Sequence, residues 1–375
     1  IGNSDINSIA VNSVYSPLNS TMEEKTAELI SKKLPNIKIS LSHAIGKVGL
    51  IERENATIIN AALAGLAEEI IEAFESALQN LNINAPLYIS QNDGTLMLPN
   101  KVKGYPVLTF ACGPTNSMRG AAFLSGLDES VIVDIGGTTT DIGYIKQGFP
   151  RQSAVATDVG GVRTNFRMPD IISIGLGGGS IVRENGNKIG PDSVGYLLTE
   201  KAKVFGGDTL TATDIAVAKY NLDIGDPSLV NNIDKSLINN SKKQFTKLLE
   251  DSIDKMKTSS EEVPAIFVGG GTIINKEKVK GISELIIPDN FAVANAVGAA
   301  LGQVSGEVDR VFHYDKLGRD KTIENAKLEA KEKAKEAGAI EKTIEVMEIN
   351  ENPLAYLPGR SVRLQIKAIG DLENI

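Results

Sequence analysis

The stretch Ser130 to Gly143, SVIVDIGGTTTDIG, constrains this chain more than any other. Val131, Ile132 and Val133 form the short apolar run of a buried strand, and Asp134 ends it. Gly136 and Gly137 make a tight turn, three threonines follow, and a second apolar run begins after Asp141. The pattern is a strand, a glycine turn and a returning strand. Adjacent glycines let a backbone approach a bulky anion with its N–H groups exposed. Thr138, Thr139 and Thr140 add hydroxyl donors, and hydrogen bonds to a charged phosphate contribute roughly 1.5–3 kcal/mol each. Asp134, at the strand end, can hold Mg²⁺ directly or through water. Asp141 can orient a water or a proton-bearing group. A plain hairpin closed by Gly-Gly explains the glycines, but not two aspartates bracketing three threonines.

Composition narrows the class. The 375 residues are 42% hydrophobic and 23% charged, an ordinary globular balance. That length suffices for two domains burying about three quarters of the unfolded surface. A net charge of −8 argues against a nucleic-acid surface. One cysteine excludes an internal disulfide framework and fits a reducing cytoplasm. No apolar run is long enough to span a bilayer, so no membrane partner is expected. Two distant histidines, His43 and His313, make a histidine metal site improbable; His43 reads as a turn or cleft residue.

Further glycine turns follow apolar runs. Pro86 to Ser90 reads as a buried strand leading into Gln91-Asn92-Asp93-Gly94. Ligands sit at such carboxyl ends, but an Asn-Asp-Gly turn has the same residues; both readings stand for Asn92 and Asp93. Val107 to Ala111 reads as a strand entering a helix to about Leu124, with Cys112 as a small apolar residue. Arg163 or Arg167 could grip an anion or simply lie on a surface loop. Gly177 and Gly178 follow the run Ile171–Ile174, downstream of the hairpin, where they would line a cleft. The spacing predicts a long helix over Glu52–Leu81 and a polar-faced helix or helix pair over Asn231–Lys257. Val263 to Val268 runs into Gly269-Gly270-Gly271-Thr272. The helix DNFAVANAVGAALG (Asp289 to Gly302) has small residues suited to close packing, as at a hinge. Lys321–Ala337 reads as a helix, followed by strands Thr343–Ile349 and Ser361–Ala368 separated by Pro353 and Pro358-Gly359.

The pattern DxGGTxTD resembles the phosphate-binding hairpin of the actin, sugar-kinase and heat-shock-type ATPases. A longer match runs from FACGPTNSMRGAAFLSGL through VDIGGTTTDIG to GGVRTNFRMPDIISIGLGGGS, and it is similar to the hydantoinase/oxoprolinase family, A-type subunit. The resemblance runs from about Val11 to Leu372. It implies an α/β fold of actin-like, ribonuclease-H-like ATPase lobes. Residues 1–127 would be the remainder of a first lobe, 128–306 the second lobe, and 307–375 a small α+β region. It implies ATP and Mg²⁺ as cofactors and ATP-dependent opening of a cyclic amide such as a hydantoin or 5-oxoproline. Asp134 and Asp141 would be catalytic, with Asp134 also holding the metal. Gly136, Gly137 and Thr138 to Thr140 would cradle phosphate; Gly269, Gly270, Gly271 and Thr272 would carry the nucleoside. A B-type subunit would be the partner, with a homo-oligomer also open.

The superfamily uses two phosphate hairpins, and this chain carries one. The other is expected upstream of Ile1, so the chain reads as lacking an N-terminal segment and as inactive alone; its opening is the polar segment Gly2 to Asn7. A smaller departure is Ala44, where the resemblance implies an acid. Two rival readings remain: a small-molecule kinase of the same superfamily, and a non-catalytic nucleotide-sensing protein of the reactivase or chaperone kind.

Overall fold

The computed structural model describes residues 6–354 and 359–372; most of the expected polar opening, through Asp5, and Pro358 lie outside them. The chain forms two compact units. One comprises Ile1–Cys112, Gln152–Met168 and Gly302–Ile375, the other Gly113–Arg151 and Pro169–Leu301. No helix among the described residues is long and apolar enough to cross a membrane.

The second unit is built on a sheet in the order Ile171–Ile174, Thr140–Lys146, Ser130–Ile135, Val263–Val268, Ile282–Ile286, with Phe149–Pro150 on the flank. The first three strands are antiparallel and the last two join in parallel. Val131–Val133 and Ala265–Val268 are wholly buried. Their unbroken apolar runs mark strands covered on both faces. Helix Lys235–Met256 covers one face with Ile238, Phe245, Leu249, Ile253 and Met256, which recur at helical spacing. Asp234 caps it by accepting from Ser236 N at 2.6 Å, and of the two readings of the Asn231–Lys257 stretch the single helix is the one found.

Helix Cys112–Ser125 covers the other face with Met118, Ala121 and Ala122. It meets helix Ala294–Ala299 backbone to backbone. A Cβ on Gly120 would lie 1.9 Å from the Ala294 carbonyl oxygen, and one on Gly298 1.8 Å from that of Asn116. The small residues of the Asp289–Gly302 stretch therefore serve a close contact inside this unit. Residues 113–127, grouped from sequence with the first region, fold here for the same reason.

The first unit has a parallel pair, Ser8–Val11 with Lys38–Leu41, and a five-stranded sheet in the order Glu345–Pro353, Ser361–Asp371, Gln303–His313, Leu96–Met97, Ile89–Ser90. Helix Arg319–Glu336 lays Ala326, Ala330 and Ala334 on this sheet. Gly306 permits it, since a Cβ there would sit 2.1 Å from the Ala330 oxygen. The α+β character of the C-terminal region is as expected, but the region shares one core with Leu96. The expected strand at 107–111 is a turn of 3₁₀ helix, Pro106–Thr109. A short apolar run does not by itself distinguish strand from helix.

A buried ionic cluster joins this sheet to the turn before it. Asp93 accepts from Thr95 N at 3.0 Å, Thr95 Oγ1 at 2.6 Å and Ser305 Oγ at 3.1 Å. Arg167 Nη1 and Lys367 Nζ lie 3.1 and 2.9 Å from its Oδ2. Burial pushes the Asp93 carboxyl up, but Arg167 and Lys367 overcome that and hold it well below the usual carboxylate range. Such a group stabilises the fold above the unfolded value near pH 3.9 and stops doing so as pH falls through its folded value. Asp93→Ala removes the carboxylate that Arg167 and Lys367 share, leaving Arg167 the ion pair with Glu307, and is expected to cost about 3 kcal/mol at pH 7. Urea denaturation should show that gap narrowing at pH 3; an equal gap at both pH values would refute the assignment.

Candidate nucleotide-binding site

The hairpin lies in the second unit. Ile135 pairs with Thr140 and Asp134 with Asp141, so the turn is 136–139. Gly136 N closes it on the Thr139 oxygen at 2.9 Å. The carbonyls of Gly136 and Gly137 point inward and accept from Gly178 N at 3.0 Å and Gly179 N at 2.7 Å. The N–H groups of Gly137, Thr138 and Thr139 have no backbone acceptor among the described residues, and all three residues are exposed. Three successive outward N–H groups form a nest for an anion.

The glycines divide by cause. Gly136 and Gly137 have no positive φ, and a Cβ on Gly137 would meet nothing within 4 Å. Neither turn geometry nor packing demands glycine at 137; the space beside it is open to a ligand. Gly177 is different, since its Cβ would fall 2.6 Å from Gly137 C and Thr138 N. A Cβ on Gly271 would fall 2.3 Å from the Gly136 oxygen. Residues 177 and 271 are glycine because the turn is wedged against them.

Asp134 and Asp141 stand directly opposite each other, with Ser173 opposite Asp141 on the next strand. Burial pushes the Asp134 carboxyl up; a hydrogen bond from Ser117 opposes this and the Asp141 charge adds to it. Burial likewise raises Asp141, opposed by the Ser173 hydroxyl. Asn295 Nδ2 holds Ser117 Oγ at 3.2 Å and the Gly113 oxygen at 2.8 Å. Ser117, Ser173 and Asn295 were not singled out from the sequence, because serines and asparagines on helices and strands carry no local signal. No group of three acid, histidine or cysteine side chains able to hold a metal occurs among the described residues. Two opposed carboxylates, each disfavoured as an anion, do fit Mg²⁺, which binds through one or two carboxylates and otherwise through phosphates and water.

The Gly269–Thr272 turn adjoins this pair. Val268 pairs with Asp134, and Gly269 adopts φ +86° with its missing Cβ 2.3 Å from Asp134 Oδ1. Gly270 has open space above it. Thr140, an expected hydroxyl donor, and Thr272, of the expected nucleoside turn, are turned inward: Thr140 Oγ1 donates to the Leu176 oxygen at 2.6 Å, and Thr272 Oγ1 to the Val268 oxygen at 2.7 Å. Thr138 and Thr139 remain exposed.

The other candidates belong to the first unit. Asn92 and Asp93 are buried, and Gly94 has φ +80°, as a turn requires. Asn92 Nδ2 donates to the Arg167 oxygen at 2.6 Å. Arg167 is enclosed by Asn92, Gln91, Glu307 and Asp93. Arg163 is exposed on the hairpin Thr157–Val159/Val162–Thr164, 3.7 Å from Glu52.

Residues 53–223 match the model of the hydantoinase/oxoprolinase family. The chain is 25% identical over 312 residues to the caprolactamase subunit alpha of Pseudomonas jessenii, covering 79% of this chain and 43% of that protein. It is 25% identical over 222 residues to the acetophenone carboxylase gamma subunit of Aromatoleum aromaticum, covering 56% of this chain and 30% of that one. The chain thus spans less than half the length of these relatives. Among solved structures, the ATP-dependent caprolactamase from Pseudomonas jessenii superposes with a TM-score of 0.75 at 18% identity, over 98% of this chain and 65% of that one. Nucleotide-free acetone carboxylase superposes with a TM-score of 0.60 at 16% identity, with the same coverage of both chains. The mixed α/β fold is therefore shared with these enzymes.

The acid pair makes stability and site chemistry oppose each other. A carboxyl raised above its unfolded value favours the fold at low pH and loses that contribution as pH rises through its folded value. Asp141→Asn is expected to raise the melting temperature at pH 7, with a smaller gain at pH 3. An unchanged or lower melting temperature at pH 7 would contradict the repulsion described.

Proposed function

We propose, on the premise that residues 53–223 belong to the hydantoinase/oxoprolinase family, that the second unit binds the phosphates of ATP and that the protein uses ATP to open a cyclic amide. The observation that carries this reading is the 136–139 turn, with its outward N–H groups beside two opposed aspartates. A ring amide is resonance-stabilised and a poor electrophile. Transfer of the γ-phosphoryl group to its oxygen releases ADP and leaves a carbon that water can attack. In such transfers the protein contributes positioning and charge neutralisation.

The geometry supports the following roles in this reading. The N–H groups of Gly137, Thr138 and Thr139, with the exposed hydroxyls of Thr138 and Thr139, hold phosphate oxygens. Asp134, fixed by Ser117, would hold Mg²⁺, which would supply charge neutralisation between phosphates. Asp141, fixed by Ser173, orients the oxygen that receives the phosphoryl group. Gly270 gives the nucleoside a flat backbone surface. Relatives named as subunits support a second chain as partner, of the B type in this reading.

The test is incubation of the full-length protein, with any co-purifying subunit, with ATP and a hydantoin, 5-oxoproline or a lactam. Ring-opened product with ADP and phosphate is expected. A stable phosphorylated product would indicate a kinase, and nucleotide-dependent association without turnover a sensing protein. Asp134→Asn is expected to lower ATP turnover by on the order of 100-fold or more while leaving the fold intact. Near-normal turnover with unchanged magnesium dependence would sink its role. Gly270→Val, whose Cβ would meet no neighbour within 4 Å, should weaken nucleotide binding more than inorganic phosphate binding and should not unfold the protein. Calorimetry with both ligands checks this, and equal losses would remove Gly270 from the nucleoside surface.

A further inference from the structure

The carboxylate of Asp134 is held from a side that the hairpin itself does not provide. Strand Ser130–Ile135 delivers it, and the Gly269 turn closes on it where the glycine has no Cβ. Ser117, on helix Cys112–Ser125, donates its hydroxyl hydrogen to the carboxylate, which can only accept. Ser117 is buried, so any further partner of its oxygen comes from the protein. Asn295 is that partner, donating from Nδ2 to Ser117 Oγ at 3.2 Å. The orientation of the Asn295 amide follows from a second contact. Its nitrogen lies 2.8 Å from the Gly113 oxygen, and a carbonyl oxygen accepts but never donates. The NH₂ group therefore faces Gly113 and Ser117 together, with one N–H for each. The bonds run one way, from Asn295 through Ser117 to Asp134.

The helix crossing makes this contact possible. Ser117 and Asn295 each lie three residues before a glycine of that crossing, Gly120 and Gly298. Residues three apart share a helix face, so the backbone-to-backbone approach at the glycines brings these two short side chains within reach. Helix Ala294–Ala299 follows directly on the turn Phe291–Val293, and the Phe291 oxygen accepts from Gly269 N at 2.9 Å. One short segment, 291–295, thus anchors the glycine turn beside Asp134 and, through Ser117, the carboxylate itself. All of these residues belong to the second unit. Asn295 is exposed, so packing does not demand asparagine there. What its two acceptors demand is a pair of N–H donors, which leucine and aspartate, of similar size, do not have.

We propose that Asn295 is a positioning residue for the Asp134 carboxylate: acting through Ser117, it fixes the rotation of that carboxylate in the orientation that receives Mg·ATP. This rests on the function proposed above, in the role given there to Asp134. A carboxylate already held at one angle loses little freedom when a cation and its nucleotide arrive, whereas a freely turning one must be ordered first. The hydrogen-bond partners of metal-holding side chains act in this way and commonly change metal affinity by about 10–100-fold. The effect is specific to the metal-bound nucleotide, because neither Ser117 nor Asn295 belongs to the turn whose N–H groups face the phosphates.

The test is a double-mutant cycle read by calorimetry on the full-length protein with any co-purifying subunit. Ser117→Ala and Asn295→Ala should each weaken Mg·ATP binding by about 10-fold or more and leave ATP binding in EDTA unchanged. The double variant should bind Mg·ATP no more weakly than Ser117→Ala alone, because Asn295 acts through Ser117. Asn295→Leu, which keeps the size and loses the donors, should match Asn295→Ala. In turnover, the magnesium concentration for half-maximal rate should rise in the same variants. A merely structural role for Asn295 predicts the opposite pattern: a lower melting temperature, equal weakening of both forms of ATP, and additive losses in the double variant. Any of those binding results, or unchanged Mg·ATP binding in Asn295→Ala, would overturn the proposal. The exposed Asn295 variants keep the comparison available if Ser117→Ala does not fold: a loss confined to Mg·ATP supports the proposal, and a loss shared with metal-free ATP overturns it. A wild-type protein that binds no Mg·ATP overturns the nucleotide reading of the hairpin and this assignment with it. Wild-type binding that Asn295→Ala leaves intact overturns this assignment alone.

Discussion

The second unit depends on how the backbone of one turn is held. Gly178 and Gly179 take up the carbonyls of Gly136 and Gly137 through hydrogen bonds of 3.0 and 2.7 Å. A polar backbone group must find a partner, and giving the carbonyls theirs inside the protein leaves the N–H groups facing out. The surrounding requirements follow. Gly177 and Gly271 lack a Cβ because the turn occupies that space, and Gly269 lacks one because Asp134 does. The buried strands Ser130–Ile135 and Val263–Val268 carry both turns to the same end of the sheet. A rigid sheet edge presenting preset donors needs little reorganisation when charge arrives, which is the condition for electrostatic stabilisation of a transferring group.

The two units treat buried carboxylates in opposite ways. Asp93 is surrounded by Arg167 and Lys367 and by three hydrogen-bond donors, so its charge is favoured and the cluster serves the fold. Asp134 and Asp141 face each other with the Ser117 and Ser173 hydroxyls as relief, and burial keeps their charges disfavoured. A fold keeps such a pair at a cost in stability, and pairs of this kind concentrate at functional sites. Glu23, buried in the first unit, stands between these cases: hydrogen bonds from Ser13, Ser42 and His43 satisfy its charge.

Much of this architecture was legible along the chain. The hairpin, the helices at Leu50–Asn80, Lys235–Met256 and Arg319–Glu336, and the glycine turns after strands all follow from apolar periodicity and turn chemistry, which are local. The α/β class was implied by the family resemblance of the same motifs. Three features were not legible. The C-terminal strands share a core with Leu96, more than 200 residues earlier in the chain, and residues 113–127 fold with the second unit. Arg167 and Asp93 looked alike as ligand groups or turn residues until their mutual burial was seen.

Sequence alone determined that residues 130–143 form a strand, turn and strand with acids at both rims, because spacing and residue type decide that within fourteen positions. Tertiary structure decided which groups are free. Thr140 and Thr272 have the same hydroxyl as Thr138 and Thr139, but lie buried against carbonyls. His43 has the same ring as His313, but only His43 is held at Nδ1 by a buried carboxylate. Availability is a property of neighbours brought together by packing, and those neighbours come from distant parts of the chain.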